Sequence, residues 1–320
     1  MQETLTVRVA EKRSEAIDVS SFRLVDPSDA PLPAFSPGAH IDVHVEPGLI
    51  RQYSLCNDVR EDDHYLIAVK REPASRGGSV GMHDRVEVGS LLTIGRPRNN
   101  FPLDEKAKHT ILVAGGIGIT PMLSMAQHLK ATDASFELHY FTRSIAHTAF
   151  HKLLSAPEYA SRLHFHYALE PDAVQQYLRR VLWQRPDGGH LYQCGPRPLM
   201  DMVEATAAAT WPPDAVHLEY FGADPRSLAG PQDAFDVTLA RTGGTYPVPE
   251  GKSIVAVLAE HGVHVEVSCE QGICGTCLTG VLDGEPDHRD MFLTDGEKAA
   301  CDKMTVCVSR AKSRVLVLDL

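Results

Sequence analysis

The chain has 320 residues, 43% of them hydrophobic and 23% charged, which is enough for two or three domains each with its own core. Its formal net charge of -11 argues against nucleic acid as a partner. The first twenty-five residues carry charges throughout without an apolar h-region, and no later run approaches the ~18 apolar residues of a membrane span, so a soluble cytoplasmic protein without membrane attachment is expected.

The first hundred residues read as short strands: Leu5 to Val9, Ile17 to Leu24, His40 to Val45, Arg51 to Leu55, Tyr65 to Lys70 and Leu91 to Gly95. Turn formers such as Pro37-Gly38 and Pro47-Gly48 separate them, and this spacing predicts an antiparallel six-stranded barrel over residues 1–102. The barrel carries three polar groupings: Arg51-Gln-Tyr53-Ser54, then Ala68-Val69-Lys70, then Arg76-Gly77-Gly78-Ser79. A guanidinium, a phenol, a hydroxyl and a glycine-flanked serine at a helix start suit a phosphorylated flat ring. The arginine and Ser79 would take the phosphate, Tyr53 would lie along the ring or ribityl chain, and Ser54 would sit near the ring nitrogens. Taken singly, each has a plainer meaning, a solvated arginine on a strand or a surface turn.

From Phe101-Pro102 onward the pattern changes. Thr110 to Ala114 reads as a buried strand, Pro121 to Lys130 as a helix and Phe136 to Thr142 as a strand, followed by helix, strand and helix up to Leu191. Alternating strands and helices predict a doubly wound parallel α/β domain over residues 103–222. Its first strand runs into Gly115-Gly116-Ile-Gly118-Ile-Thr120-Pro, so glycines sit where a strand becomes a helix N-terminus, a setting that favours a pyrophosphate. Close packing alone also calls for glycines there. A later strand ends in Cys194-Gly195-Pro196, which puts a small polarizable side chain at the carboxyl edge where such sheets bind ligands.

Residues 223–233 are rich in turn formers and read as a linker to a third domain, 234–320. That segment opens with a hairpin around Gly243-Gly244, continues with a helix near Ser253 to His261, and holds Cys269, Cys274, Cys277 and Cys307. The spacing C-x4-C-x2-C, with 29 residues between the third cysteine and a fourth, is that of a plant-type [2Fe-2S] site. Two ferric ions bridged by sulfide need four soft thiolates, and Gly272 and Gly275 let the loop wind so that amide N–H groups approach the sulfurs. Paired C-x-x-C units of a structural zinc site are absent. The remaining cysteines, Cys56, Cys194 and Cys301, are an odd number and suggest no disulfide framework, which fits a reducing compartment. Residues 234–320 hold 13 Asp and Glu against 8 Lys and Arg, an acidic excess that suits a basic electron-transfer partner as well as a merely solvated surface.

Together, Arg51-x-Tyr-Ser, Gly115-Gly-Ile-Gly-Ile-Thr-Pro and Cys194-Gly-Pro, in this order, resemble the ferredoxin-NADP reductase superfamily. With the C-terminal ferredoxin added, the whole chain is similar to the phthalate dioxygenase reductase family and its vanillate demethylase and phenoxybenzoate dioxygenase relatives. The resemblance implies a multidomain α+β protein with FMN in the barrel, NADH on the α/β domain and a β-grasp ferredoxin. A ferredoxin placed after the reductase module goes with FMN rather than FAD.

Carried over by position, Arg51, Tyr53, Ser54, Ala68, Val69, Lys70, Gly77, Gly78, Ser79 and Phe221 are expected at the flavin. Gly115, Gly116, Gly118, Arg143, Ser144, Gly195 and Pro196 are expected at the nucleotide, and Thr120, Cys194 and Ser54 where the two meet. Position 144 is serine where an acidic residue would repel a 2'-phosphate, so NADH is expected to be preferred only modestly. The implied function is that of a monomeric oxygenase reductase in aromatic hydrocarbon catabolism. It would pass electrons from NADH through FMN and the cluster to a terminal oxygenase component with Rieske-type non-haem iron. The alternatives are a self-contained flavin and iron-sulfur oxidoreductase on a small substrate, or a non-catalytic Fe-S redox sensor.

Overall fold

The computed structural model describes residues 3–74 and 77–320. The chain divides into two compact units, one ending at Glu219 and the other beginning at Tyr220.

The first unit opens with β1 (Thr4–Ala16), β2 (Val19–Val25), β3 (His40–Glu46), β4 (Leu49–Ser54), β5 (Tyr65–Lys70), α1 (Gly78–Arg85) and β6 (Leu91–Gly95). The six strands form an antiparallel sheet in the order β4-β3-β6-β1-β2-β5, and a bridge between Leu55 and Ile67 joins its two ends into a barrel. Phe22, Leu24, Ile41, Val43, Ile67 and Ile94 are fully buried inside it, as period-two alternation requires. The expected strand Ile17 to Leu24 starts two residues late. Ile17 and Asp18 form the turn between β1 and β2, with Asp18 in the left-handed region at φ 59°, a conformation that aspartate tolerates better than most residues.

The chain then alternates: β7 (His109–Gly115), α2 (Ile119–Ala131), β8 (Phe136–Thr142), α3 (His151–Leu154), β9 (Leu163–Tyr167), α4 (Pro171–Leu182), β10 (Gly189–Cys194), α5 (Arg197–Ala207) and β11 (Val216–Glu219). The sheet is wholly parallel in the order β11-β10-β7-β8-β9. Leu112 and Ala114 of β7 face a core with Met122, Leu123 and Ala126 of α2, while Ile111 and Val113 face one with Leu178 of α4 and Val203 of α5. Helices therefore cover both faces, which is why β7 reads as an unbroken apolar run. Val19, Cys56, Ala68 and Phe101 of the barrel belong to the same core cluster as α2, so the two sheets of this unit share buried contacts.

The second unit contains α6 (Pro225–Leu228), β12 (Phe235–Leu239), β13 (Thr245–Val248), α7 (Ile254–Glu260), β14 (Leu278–Asp283), β15 (Pro286–Asp287), α8 (Asp295–Ala300), β16 (Lys303–Thr305), β17 (Arg310–Ala311) and β18 (Val315–Leu318). Its sheet runs β13-β12-β18-β14-β16, with β12 and β18 parallel and the remaining pairs antiparallel. The Ser253 hydroxyl caps α7 by accepting from Ala256 N at 3.2 Å, and Ile254, Val257 and Leu258 press that helix onto the sheet.

Residues 228–233 are tied down by two arginines, each 4% exposed. Arg289 donates to Pro231 O at 2.5 Å and to Leu228 O at 3.4 Å, and Arg310 donates to Asp233 O at 3.0 Å and Gln232 O at 3.3 Å. No helix among the described residues is long and apolar enough to cross a membrane.

Candidate functional site

In the parallel sheet the chain runs outward from β7 through β8 to β9 and then returns to β10 and β11 on the other side of β7. The strand order thus reverses between β7 and β10, and a crevice at the carboxyl ends of such strands is where open α/β sheets bind ligands. Gly115 ends β7 and Cys194 ends β10, so the two glycine motifs flank this point. The glycines serve different ends. A methyl group on Gly118 would lie 2.1 Å from the Cys194 carbonyl oxygen, and one on Gly115 would lie 2.6 Å from Pro196 Cδ, so these two permit close packing of the turn on Cys194-Gly195-Pro196. Gly116, at φ +51°, has open space around its missing side chain. Thr120 is buried and donates to Ile117 O at 3.1 Å, which holds the turn.

The barrel reaches the same edge. Ser54, the last residue of β4, is 5% exposed and donates to Glu219 Oε2 at 3.4 Å. Glu219 ends β11 and pairs in register with Cys194 of β10. Burial holds the Glu219 carboxyl up at about 8, with the Ser54 hydrogen bond acting in the opposite sense. Burial first, and the Glu219 charge second, push the Cys194 thiol far above its ordinary range, so it is a neutral, polarizable group rather than a thiolate nucleophile. Ser54, Cys194 and Glu219 therefore form one neutral, desolvated polar patch at the carboxyl edge of the parallel sheet. Glu219 was missed in the sequence, where a lone acid closing the short strand Val-His-Leu-Glu carries no local signal.

Arg51 and Tyr53 lie on β4, and the Arg51 side chain crosses the start of α1. A methyl group on Gly78 would sit 2.5 Å from Arg51 Cγ. Helix α1 begins after Gly77, at φ 89°, with no side chain capping its first N–H groups, so a guanidinium and open helix donors meet in one place. Ser79 is less available than expected, because its hydroxyl accepts from Glu72 N at 3.1 Å. Burial raises the Tyr53 phenol above its usual range, with Arg51 opposing. Ala68 and Val69 are core side chains, and Lys70 is exposed and pairs with Glu72 at 3.0 Å. Arg76 lies outside the described residues. Phe221 is 43% exposed and belongs to the second unit.

After β8, Arg143 is exposed and Ser144 Oγ lies 2.8 Å from His147 Nδ1. Thr148 Oγ1 donates to Ser144 O at 2.9 Å, so residues 144–148 close into a compact turn in which His147 is an unpredicted neighbour of Ser144.

In the second unit Cys269, Cys274, Cys277 and Cys307 are all buried. Hydrogen bonding links them as two pairs, Cys269 with Cys274 and Cys277 with Cys307, and lowers one thiol of each pair, Cys274 and Cys277. Two pairs are what two bridged irons need, each taking two protein thiolates. Backbone N–H groups surround the sulfurs: Gln271 N donates to Cys269 Sγ at 3.3 Å and Thr276 N to Cys274 Sγ at 3.5 Å. Gly275, at φ +71°, lies under the Phe292 ring, where a methyl group would come within 2.3 Å of it. Buried soft donors with amide hydrogen bonds fit a charged iron-sulfur cluster.

Residues 237–312 match the 2Fe-2S iron-sulfur cluster binding domain family, and this span contains all four thiols. The chain is 46% identical to a vanillate O-demethylase oxidoreductase from Pseudomonas sp. (strain HR199 / DSM 7063), over 99% of this chain and 100% of that one. It is 45% identical to the phthalate dioxygenase reductase of Burkholderia cepacia, over 99% of this chain and 97% of that one. The chain belongs to the phthalate dioxygenase reductase family. As a member of that family it is an electron-transfer oxidoreductase with a [2Fe-2S] domain. Among solved structures it superposes on phthalate dioxygenase reductase with a TM-score of 0.77 at 45% identity, over 99% of this chain and 98% of that one. That structure is described as modular, for electron transfer from pyridine nucleotides to [2Fe-2S]. The expected antiparallel barrel, parallel α/β sheet and ferredoxin fold hold for this member of the phthalate dioxygenase reductase family.

Proposed function

We propose that the chain is the NADH-dependent reductase component of an aromatic-ring dioxygenase or O-demethylase system, and that it delivers electrons singly to a Rieske-type terminal oxygenase in the cytoplasm as a monomer. The observation that carries this reading is the Ser54–Glu219 contact, which makes the barrel and the carboxyl edge of the nucleotide sheet into one site. When bound, FMN accepts two electrons with a hydride and gives them up one at a time, and the cluster takes one at a time.

The protein's own part is positioning and exclusion. Arg51 and the uncapped start of α1 suit the flavin phosphate, while Tyr53 and Ser54 suit its ring and side chain. Gly116 and the start of α2 suit a pyrophosphate, and Arg143 and Ser144 the adenosine ribose. Cys194 and Thr120, both buried, exclude water where nicotinamide and flavin would meet. Glu219, uncharged near neutrality, holds a proton within reach of Ser54, so a hydrogen bond can respond to charge arriving at the ring. Cys269, Cys274, Cys277 and Cys307 hold the cluster.

Purified protein should contain one FMN and two irons per chain; release of FAD would overturn the flavin assignment. Cys274→Ser should abolish NADH-dependent reduction of cytochrome c while NADH-to-ferricyanide activity persists. Equal loss of both, with FMN still bound, would contradict the order nucleotide, flavin, cluster.

A further inference from the structure

Strand β1 is 13 residues long, but β6 pairs only with Thr4–Arg8. The remainder pairs with β2 alone and carries the β1–β2 turn to the loop that follows β8. There Ile17 N donates to Ala146 O at 2.9 Å, across 129 residues. The turn is held from two more directions: Arg71 N donates to Asp18 O at 2.6 Å, and Val19 is buried in the same core as Tyr140, Ala149 and Phe150. A barrel turn thus becomes a fixed wall of the segment that carries Arg143 and Ser144.

Two features of this wall are unspent by the fold. Ile17 and Ile145, on the two segments joined by that hydrogen bond, are 49% and 59% exposed, and such apolar surface suits a flat heterocycle. Asp18 is exposed, and its carboxylate accepts no hydrogen bond and forms no ion pair among the described residues. Its neighbour Arg71 is paired with Asp84 and feels the Asp18 charge only as a lesser influence. The hydrogen bond and the short steps on either side of it keep Asp18 on the order of 10 Å from Ser144, comparable to the ~10 Å over which charge acts at 0.1 M salt.

We propose that Asp18 is a specificity-determining residue that disfavours a 2'-phosphate on the pyridine nucleotide, supplying from the barrel the negative charge that position 144 lacks. This rests on the reading of the Arg143–Ser144 loop as the adenosine-ribose site. A carboxylate at this range repels a dianionic 2'-phosphate but leaves a ribose hydroxyl nearly unaffected, so the discrimination is electrostatic and weakens with salt.

The test uses adenosine 2',5'-bisphosphate and 5'-AMP as binding probes on the flavin-loaded full chain, titrated calorimetrically at low and high ionic strength, with kcat/KM for NADPH and NADH in parallel. Asp18→Asn keeps a residue that accepts a left-handed backbone and removes only the charge. It should tighten the bisphosphate relative to 5'-AMP by about 3-fold at low salt, and Asp18→Lys by about 10-fold, with both gains fading in high salt. The NADPH-to-NADH ratio of kcat/KM should move in the same direction. Ser144→Asp serves as the control and should weaken the bisphosphate. If Ser144→Asp acts but neither Asp18 variant changes the ratio, the role of Asp18 is refuted while the loop assignment stands. If Ser144→Asp is also silent, the loop assignment itself fails and the proposal falls with it.

Discussion

The Ser54 hydroxyl donates to Glu219 Oε2 at 3.4 Å, joining the last residue of β4 to the last residue of β11 across 165 residues of sequence. Because burial holds Glu219 at about 8, the carboxyl is neutral at pH 7 and ionises just above it, placing a buried negative charge beside Cys194 where a hydride would arrive. NADH-to-ferricyanide turnover should therefore fall as pH rises through about 8, and Glu219→Gln should abolish that inflection. Ser54→Ala removes a contact that lowers the carboxyl, so it should move the inflection upward. Since folding raises this acid from 4.5, its protonated form favours the fold and stability declines as pH climbs from 4.5 to about 8. Melting temperatures of the wild type and Glu219→Gln at pH 6 and pH 9 would expose the difference, and identical pH dependence would refute it.

A second titrating feature lies on the face of the α/β sheet under α4. His139 stacks on His164 at 4.9 Å, and His166 lies 4.1 Å from Tyr177 and 4.4 Å from Phe141 between ring centroids. Burial first, then neighbouring imidazoles, lower His139 to about 3, and burial, His164 and Arg180 lower His166 to about 4. Bases with depressed values stabilise the fold above their unfolded value of 6.5 and lose that contribution as pH falls towards 4. Thermal melts from pH 7.5 to pH 5 should show steep acid destabilisation, and His139→Phe should flatten it by up to about 1.4 kcal/mol per pH unit. An unchanged slope in the variant would count against the cluster as its source.

The two glycines of the β7–α2 turn should both lose stability on substitution, but to different extents. In Gly118→Ala the new methyl meets a backbone carbonyl that cannot move aside, so a loss of about 2–4 kcal/mol is expected, read as a fall in melting temperature. Gly116→Ala has room but an unfavourable left-handed backbone, so about 1 kcal/mol should be lost while KM for NADH rises. A Gly118→Ala protein as stable as the wild type would contradict the packing argument.

Arg310 donates to the carbonyls of Gln232, Asp233, Pro249 and Lys252 and stacks over Phe235 at 5.1 Å. Arg310→Met keeps the volume but leaves those part-buried carbonyls without their donor, at a cost of about 1–3 kcal/mol. Calorimetry should show the second unit melting earlier, and its visible iron-sulfur absorbance bleaching with it, while the first unit's transition stays in place. A single unshifted transition would show that the arginine is dispensable.

The cluster loop was legible in the sequence because three of its four cysteines and both of its glycines lie within nine residues, where spacing and backbone dihedrals settle the geometry locally. The same holds for the barrel strands and the alternating α/β segment, whose hydrophobic periods are short-range properties. Tertiary structure decided what depends on distant segments converging. Glu219 has no motif of its own, and only the meeting of β4, β10 and β11 buries it and raises its carboxyl. The Ile17–Asp18 turn hid within a β-branched, strand-like run, and its place beside Ala146 follows from the barrel packing on the α/β sheet. The close approach of Gly118 to the Cys194 carbonyl likewise needs β7 and β10 side by side, and the polar linker is held by arginines from 58 to 78 residues away. Periodicity and dihedral preference are written into neighbouring residues, whereas desolvation and charge proximity arise only when the chain has folded and excluded water from between them.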